Sequence, residues 1–175
     1  MARSLRASLY SAIIVAGLGL AAGAIAQSGQ LELRLADPAW DGVTIPQGQH
    51  CALQGGSGAT PAIAVSGLPE GTTTVNVAFN DETYQPMNDG GHGIIAYAVT
   101  PADGTATLPS VPGGTADLPA GASVATASRG TGDYASPGYL PPCSGGAGNT
   151  YSATVTALDS TGKELATGKI ELGKY

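Results

Sequence analysis

The chain has 175 residues, of which thirteen are Asp or Glu and seven are Lys or Arg, so its formal net charge at neutral pH is −6. Nucleic acids and anionic membrane surfaces repel an acidic chain, which argues against both as partners. Glycine and proline are abundant, with 27 and 12 residues, but regular hydrophobic periodicity in several segments argues against disorder.

The first 26 residues have the pattern of a secretory signal peptide. Arg3 and Arg6 precede a largely apolar, uncharged run that starts at Leu9, and residues 24–26 supply an A-x-A cleavage pattern. We expect cleavage after this pattern, which leaves one periplasmic or secreted domain at residues 27–175 with no stable membrane insertion. A retained membrane anchor is the alternative, because the apolar run is close to the length that spans a bilayer.

Alternating apolar and polar residues predict most of the secondary structure. The alternation occurs in three segments, LELRLAD (31–37), TTVNVAFND (73–81) and TYSATVTALD (150–159). The apolar segment GIIAYAVT (93–100) lacks strict alternation and is typical of a central strand that is covered on both faces. With shorter strands at PAIAVSG and KIELGKY, the chain is predicted to have six or seven strands and little helix. This pattern indicates an all-β sandwich or barrel.

The chain has two cysteines, Cys51 and Cys143. In an exported protein, one disulfide between them is the simplest assignment, because the compartment is oxidising. A metal site that adds His50 and His92 is the alternative, but the close ligand spacing of such sites is absent. The sequence therefore predicts a disulfide and no metal or other cofactor.

Catalytic motifs are weak in this sequence. The segment GGSGA (55–59) lacks the last glycine of the G-x-S-x-G nucleophile elbow. Asp81 and Glu82 are adjacent on a predicted strand, so their side chains are expected to point to opposite faces rather than share a proton. His92 lies between two glycines and an apolar strand, where a structural role and a functional role are both open. We therefore expect a protein that is not an enzyme.

Several segments follow one another in a distinctive order. Cys51 lies in a glycine-rich loop, and after it come TPAIAVSGLPEGTTTVNVAFND, GGHGIIAYAVT, GDYASPGYLPPCSGGAGNTYSATVTALD and IELGKY. This order resembles the phosphatidylethanolamine-binding proteins, and in particular their bacterial Raf-kinase-inhibitor-like branch. The resemblance covers most of residues 51–175. It implies a compact β-sandwich with a small anion pocket that receives phosphate-like head groups.

The resemblance also implies which residues form that pocket. The strand-end aspartate of the family corresponds to Asp81, its pocket histidine to His92, and its second histidine to Asn149. Its loop tyrosine and loop proline correspond to Tyr139 and Pro142, and its strand-start tyrosine corresponds to Tyr151. These six residues are the implied ligand-binding set. The proline-rich loop before residue 144 is then expected to form a wall of the pocket, and both cysteines are expected at the same end of the sandwich.

The chain departs from the family pattern at four positions. The family's second histidine falls at Asn149, its loop glycine at Pro141, its tryptophan at Gly93 and its second pocket aspartate near Thr83. A neutral Asn149 binds an anion less strongly than a charged donor, by about 1 kcal/mol. His92 is then expected to be the only nearby side chain that can become positive. This predicts weak phosphate binding at neutral pH that tightens as His92 is protonated, around pH 6.5.

These inferences lead to one expected function and two alternatives. The expected function is a secreted or periplasmic, non-catalytic protein that binds a small anionic or phospho head-group ligand in a divergent pocket. The first alternative is a protease inhibitor or protein-interaction module whose pocket is vestigial, and the second is a hydrolase whose catalytic site has no recognisable motif. The ligand's identity and the oligomeric state do not follow from the sequence.

Overall fold

The computed structural model describes residues 29–175, so the predicted signal peptide and its cleavage site lie outside the described residues. Two kinds of element make up this part of the chain: strands and single-turn 3-10 helices. The nine strands are β1 (Gly29–Gln30), β2 (Glu32–Leu35), β3 (Ile63–Ser66), β4 (Thr74–Asp81), β5 (Ile94–Ala98), β6 (Thr105–Leu108), β7 (Ala122–Thr126), β8 (Thr150–Leu158) and β9 (Glu164–Lys174). The three 3-10 helices are Ala52–Gln54, Gln85–Met87 and Gly132–Tyr134. The predicted all-β class is confirmed.

The strands form two sheets that pack face to face. In the described part of the chain, one sheet has six strands in the order β1-β9-β8-β4-β5-β7, and the other has three in the order β2-β3-β6. Strand β4 lies antiparallel between β5 and β8, with Val77 opposite both Ile95 and Val155. These side chains are almost fully buried in a core shared by both sheets. Alternation along each strand therefore sends one set of residues into this core.

All six predicted strand segments contain a strand, but two details differ from the prediction. Strand β5 is interior to its sheet, yet it is not covered on both faces: Ile95 and Tyr97 are buried, while Ile94 and Ala96 are only half-buried. The loop at Gly90 packs closely on Ile94, so this outward side chain is partly covered. Strands β1, β6 and β7 were not predicted, because they are short and carry little apolar alternation.

The predicted disulfide is confirmed. Cys51 and Cys143 are bonded across a sequence separation of 92, with their Cα atoms 5.3 Å apart. The Cys51 backbone N–H also donates to the Pro142 carbonyl oxygen at 3.0 Å. The bond thus joins the glycine-rich loop before β3 to the proline-rich loop before β8. Among residues 29–175, the helical turns are all too short to cross a membrane.

Candidate functional site

A cavity of about 490 Å³ opens where β4 ends and β8 begins. Asp81, the last residue of β4, is the register partner of Tyr151 near the start of β8. Both side chains line the cavity, together with His92 and Asn149. The strand register brings Asp81 and Tyr151 together, and the cavity unites them with two more of the six residues implied by the family resemblance.

Asp81 forms the hydrogen-bonded floor of the cavity. Its side chain is buried, and its Oδ1 accepts the backbone N–H groups of Thr83 and Tyr84, each at 3.0 Å. Its Oδ2 accepts a hydrogen bond from Asn149 Nδ2 at 2.6 Å. Thr83 in turn accepts the Thr150 backbone N–H at its hydroxyl oxygen, at 2.9 Å. Asp81 thus fixes both the turn after β4 and the loop that enters β8.

His92 forms a second part of this floor as a buried, neutral ring. Its Nδ1 is 2.7 Å from the Leu140 carbonyl oxygen, and a carbonyl only accepts, so Nδ1 carries the proton. Burial lowers the pKa of His92 below its ordinary value of 6.5, although the Leu140 carbonyl and Asp81 oppose that shift. At neutral pH the ring therefore presents Nε2 as an acceptor.

Tyr151 adds a hydroxyl group to the same surface. The His92 and Tyr151 rings meet edge to face, with centroids 5.3 Å apart. Burial, as the main cause, raises the pKa of Tyr151 to about 12. The phenol therefore stays protonated over the physiological pH range and can donate a hydrogen bond to a bound group.

Tyr139 and Pro142, the two other implied pocket residues, do not line the cavity. The Tyr139 ring is only 1% exposed and packs on Phe79 in the core, with centroids 4.5 Å apart. Burying a large aromatic surface there is strongly favourable. Within residues 29–175 the Tyr139 hydroxyl has no hydrogen-bond partner. Pro142 is buried and does not reach the cavity, so this wall is formed by Leu140, Cys143 and Ser144 instead.

Arg129 is a cavity residue that the sequence analysis missed. Its guanidinium donates to the carbonyl oxygens of Asn88 and Asp89, the latter at 3.0 Å, and its backbone N–H donates to the Gly91 carbonyl at 2.8 Å. The expectation that His92 is the only nearby side chain that can become positive is therefore wrong. The sequence offered one reason to consider Arg129. Residues 29–175 contain two arginines, and because Arg34 lies on a strand, Arg129 is the arginine that lies in a loop.

The family's tryptophan position shows how the local backbone differs here. Gly93 has φ +108°, and a Cβ added at this residue would lie 2.8 Å from the Gly138 carbonyl oxygen. A tryptophan cannot occupy such a site without moving the loop. The close approach of residues 93 and 138 also brings Leu140 within reach of His92, whose backbone carbonyl accepts the Leu140 N–H at 2.8 Å.

The resulting site offers hydrogen-bonding groups rather than a metal-binding set. Within residues 29–175 no three His, Cys, Asp or Glu side chains are placed to hold a metal ion. The cavity instead combines the Asp81 carboxylate, the neutral imidazole of His92, the Tyr151 hydroxyl and the Arg129 guanidinium. This set suits a ligand with several polar atoms.

Two solved structures share this architecture. The first is a putative phosphatidylethanolamine-binding protein homologue, CT736, from Chlamydia trachomatis, with 21% identity, a TM-score of 0.53, and coverage of 85% of this chain and 98% of that one. The second is E. coli YbcL, a member of the mammalian phosphatidylethanolamine-binding protein family, with the same identity and coverage and a TM-score of 0.50. No protein-family model and no curated protein matches the chain. The chain therefore has the phosphatidylethanolamine-binding-protein fold, as predicted.

Proposed function

We propose that this protein binds, without catalysis, a small ligand whose head group is anionic, such as a phosphate monoester. One observation carries the proposal: Asp81, His92, Asn149 and Tyr151, which the family resemblance implied as ligand-binding residues, line one cavity together with the cation Arg129. A concave site with a few convergent polar groups is the usual form of a small-molecule site.

The two donors near the cavity suit a phosphate oxygen. Arg129 is always charged and has five N–H donors, so it keeps donors for a ligand beyond those used on the Asn88 and Asp89 carbonyls. Tyr151 keeps its proton, so its hydroxyl can donate to a ligand oxygen. His92 accepts at neutral pH and becomes a charged donor only when it is protonated.

Asp81 restricts which anions fit. Its buried carboxylate repels a second negative charge at close range, although three hydrogen-bond donors already satisfy its oxygens. A zwitterionic head group avoids this repulsion if its cation faces Asp81 and its phosphate faces Arg129. Phosphoethanolamine is therefore expected to bind more tightly than methyl phosphate.

The absence of catalysis is supported by how the cavity's serine is used. An activated serine must donate its proton to a neighbouring base. Ser144 lines the cavity, but its hydroxyl donates to the Tyr175 carbonyl oxygen at 2.5 Å and not to His92. The Nδ1 atom of His92 is likewise bound to a backbone carbonyl rather than to an orienting carboxylate.

An extracytoplasmic location belongs to the same proposal. The Cys51–Cys143 disulfide supports it, because such bonds persist in oxidising compartments. The A-x-A pattern at residues 24–26 adds a cleavage site. The intact mass of the protein from its native host should correspond to a chain that begins near Gln27. A mass that retains the N terminus would contradict export with cleavage.

Titration calorimetry tests the binding function. Methyl phosphate and phosphoethanolamine should both bind the parent protein, and Arg129→Gln should weaken each by about tenfold, the worth of one charge-assisted contact. Arg34→Gln is the matched control, because this second arginine lies on β2 away from the cavity. If neither probe binds at millimolar concentration, the pocket is vestigial, and the protein-interaction alternative replaces this proposal.

A further inference from the structure

Exposed aromatic side chains mark the mouth of this cavity. Four large apolar side chains in residues 29–175 are strongly exposed: Val43 (68%), Leu53 (50%), Tyr84 (55%) and Tyr134 (46%). Both tyrosines line the cavity. They come from separate segments, since Tyr84 follows β4 and Tyr134 ends the 3-10 helix Gly132–Tyr134. Exposed aromatic surface beside a polar pocket is a common mark of a binding site.

The backbone beneath each ring is fixed. The Tyr84 N–H donates to Asp81 Oδ1, and the Tyr84 carbonyl accepts the Met87 N–H at 2.8 Å. The Tyr134 N–H donates to the Thr131 carbonyl at 3.1 Å, and its own carbonyl lies close against Gly130. The rings therefore sit on ordered turns, so little backbone order has to be gained when a ligand binds.

The cavity is also larger than a head group needs. Sites that hold drug-sized ligands have volumes of about 300–1,000 Å³, and this cavity has about 490 Å³. The side chains of Pro86, Met87 and Leu140 add apolar surface to its lining. Space and apolar lining therefore remain once a phosphate occupies the polar groups.

We propose that Tyr84 and Tyr134 form a second subsite, which holds a ring-sized apolar part of the ligand. The inference rests on the proposed head-group site and names the class of ligand: a phosphate monoester whose alcohol part is an aromatic ring or a group of similar size. The rings contact that part by stacking or edge-to-face packing. The Arg129 guanidinium lines the same cavity and can contribute a cation–π contact.

Phenyl phosphate and methyl phosphate test the subsite, because they share a head group and differ in the ring. The parent protein should bind phenyl phosphate about threefold to tenfold more tightly than methyl phosphate. Tyr84→Ala and Tyr134→Ala should each move the ratio of the two affinities toward one. Tyr84→Phe should retain the ratio, because the ring remains. Val43→Ala and Leu53→Ala, which remove exposed apolar side chains elsewhere, should leave it unchanged.

The outcomes separate this inference from the proposed function. Equal binding of the two esters by the parent protein would overturn the subsite and leave the head-group site in place. A ring preference that survives in both tyrosine-to-alanine variants would also overturn it. Failure of both esters to bind at millimolar concentration would overturn the head-group site, and the subsite with it.

Discussion

The floor and the rim of the cavity are built in different ways. On the floor, Asp81, His92 and Tyr151 are each at most 4% exposed and lie on or beside strands of the six-stranded sheet. On the rim, Tyr84 and Tyr134 are about half exposed, and the Arg129 side chain reaches across to two carbonyl groups of the opposite loop.

This difference indicates which residues set stability and which set affinity. A buried polar group that loses its partner costs the full desolvation penalty of that group, whereas an exposed one is compensated by water. Floor substitutions should therefore reduce stability and binding together. Rim substitutions should change binding with little effect on stability, so comparing the two classes separates the scaffold from the ligand site.

The largest expected effect comes from the disulfide that ties the floor's supporting loop. Replacing Cys51 and Cys143 with serine should lower the free energy of unfolding by about 4–5 kcal/mol, the chain-entropy value for residues 92 positions apart. Urea unfolding of the double variant and of the parent protein measures the difference. Equal unfolding midpoints would mean that hydrogen bonds alone, such as the one from Cys51 to Pro142, hold this loop.

Asp81 offers the next largest test of the floor. Asp81→Ala leaves the N–H groups of Thr83 and Tyr84 and the amide of Asn149 without their acceptor, which should cost about 2–3 kcal/mol of unfolding free energy. The matched control is Asp159→Ala. Asp159 also accepts three hydrogen bonds in a turn, but these bonds are exposed to solvent, so the stability lost on removing its carboxylate should be smaller. Equal losses in urea unfolding would contradict the role of burial.

The positions of the floor residues could be predicted from the sequence, because these residues lie on or beside strands with alternating apolar residues. The alternation in residues 73–81 and 150–159 predicted β4 and β8, and pairing of these strands places Asp81 opposite Tyr151. The family resemblance implied that Asp81 and Tyr151 are pocket residues and placed His92 and Asn149 beside them. Each of these four residues is on a strand or adjoins one, where local pattern determines position.

The rim could not be predicted in the same way, because it depends on loop paths. Arg129, Tyr84 and Tyr134 lie in segments without periodicity, and they line one cavity in a fold where residues 88–91 pack on residues 128–129. The direction of the Tyr139 side chain could not be predicted from the sequence for a related reason. Position in a motif does not show whether a ring points to a pocket or to the core, and here core packing on Phe79 prevails.

Protonation of His92, a floor residue, should produce a smaller, pH-dependent loss of folding stability. Burial holds its pKa below the ordinary value of 6.5, so the stability that depends on the neutral ring is fully present above pH 6.5 and is lost as the pH falls through the folded-state pKa. Denaturant unfolding from pH 7.5 to pH 5 should show a steeper decline for the parent protein than for His92→Gln. The control His50→Gln, which alters a ring stacked on Tyr175, should follow the parent.

The same protonation should strengthen phosphate binding, because the charged ring can donate Nε2–H to an anion. Methyl phosphate should bind about tenfold more tightly once His92 is charged, and that gain should be absent in His92→Gln. Since the pKa is lowered, the gain should occur at a more acidic pH than the unperturbed value of 6.5 suggests. A gain that persists in His92→Gln would assign the pH dependence to the ligand or to another group.

Arg129 provides the smallest expected change in stability and the clearest test of the rim. The side chain is exposed, and the Asn88 and Asp89 carbonyls that it contacts can bind water instead, so Arg129→Gln should change the free energy of unfolding by no more than about 0.5 kcal/mol. Urea unfolding of Arg129→Gln and Asp81→Ala compares the stability losses of the two variants. The affinity for methyl phosphate is measured on the same samples. A loss of about 2 kcal/mol or more would place Arg129 in the scaffold, and any weaker binding would then reflect a displaced loop. An unchanged stability with weaker binding assigns the guanidinium to the ligand.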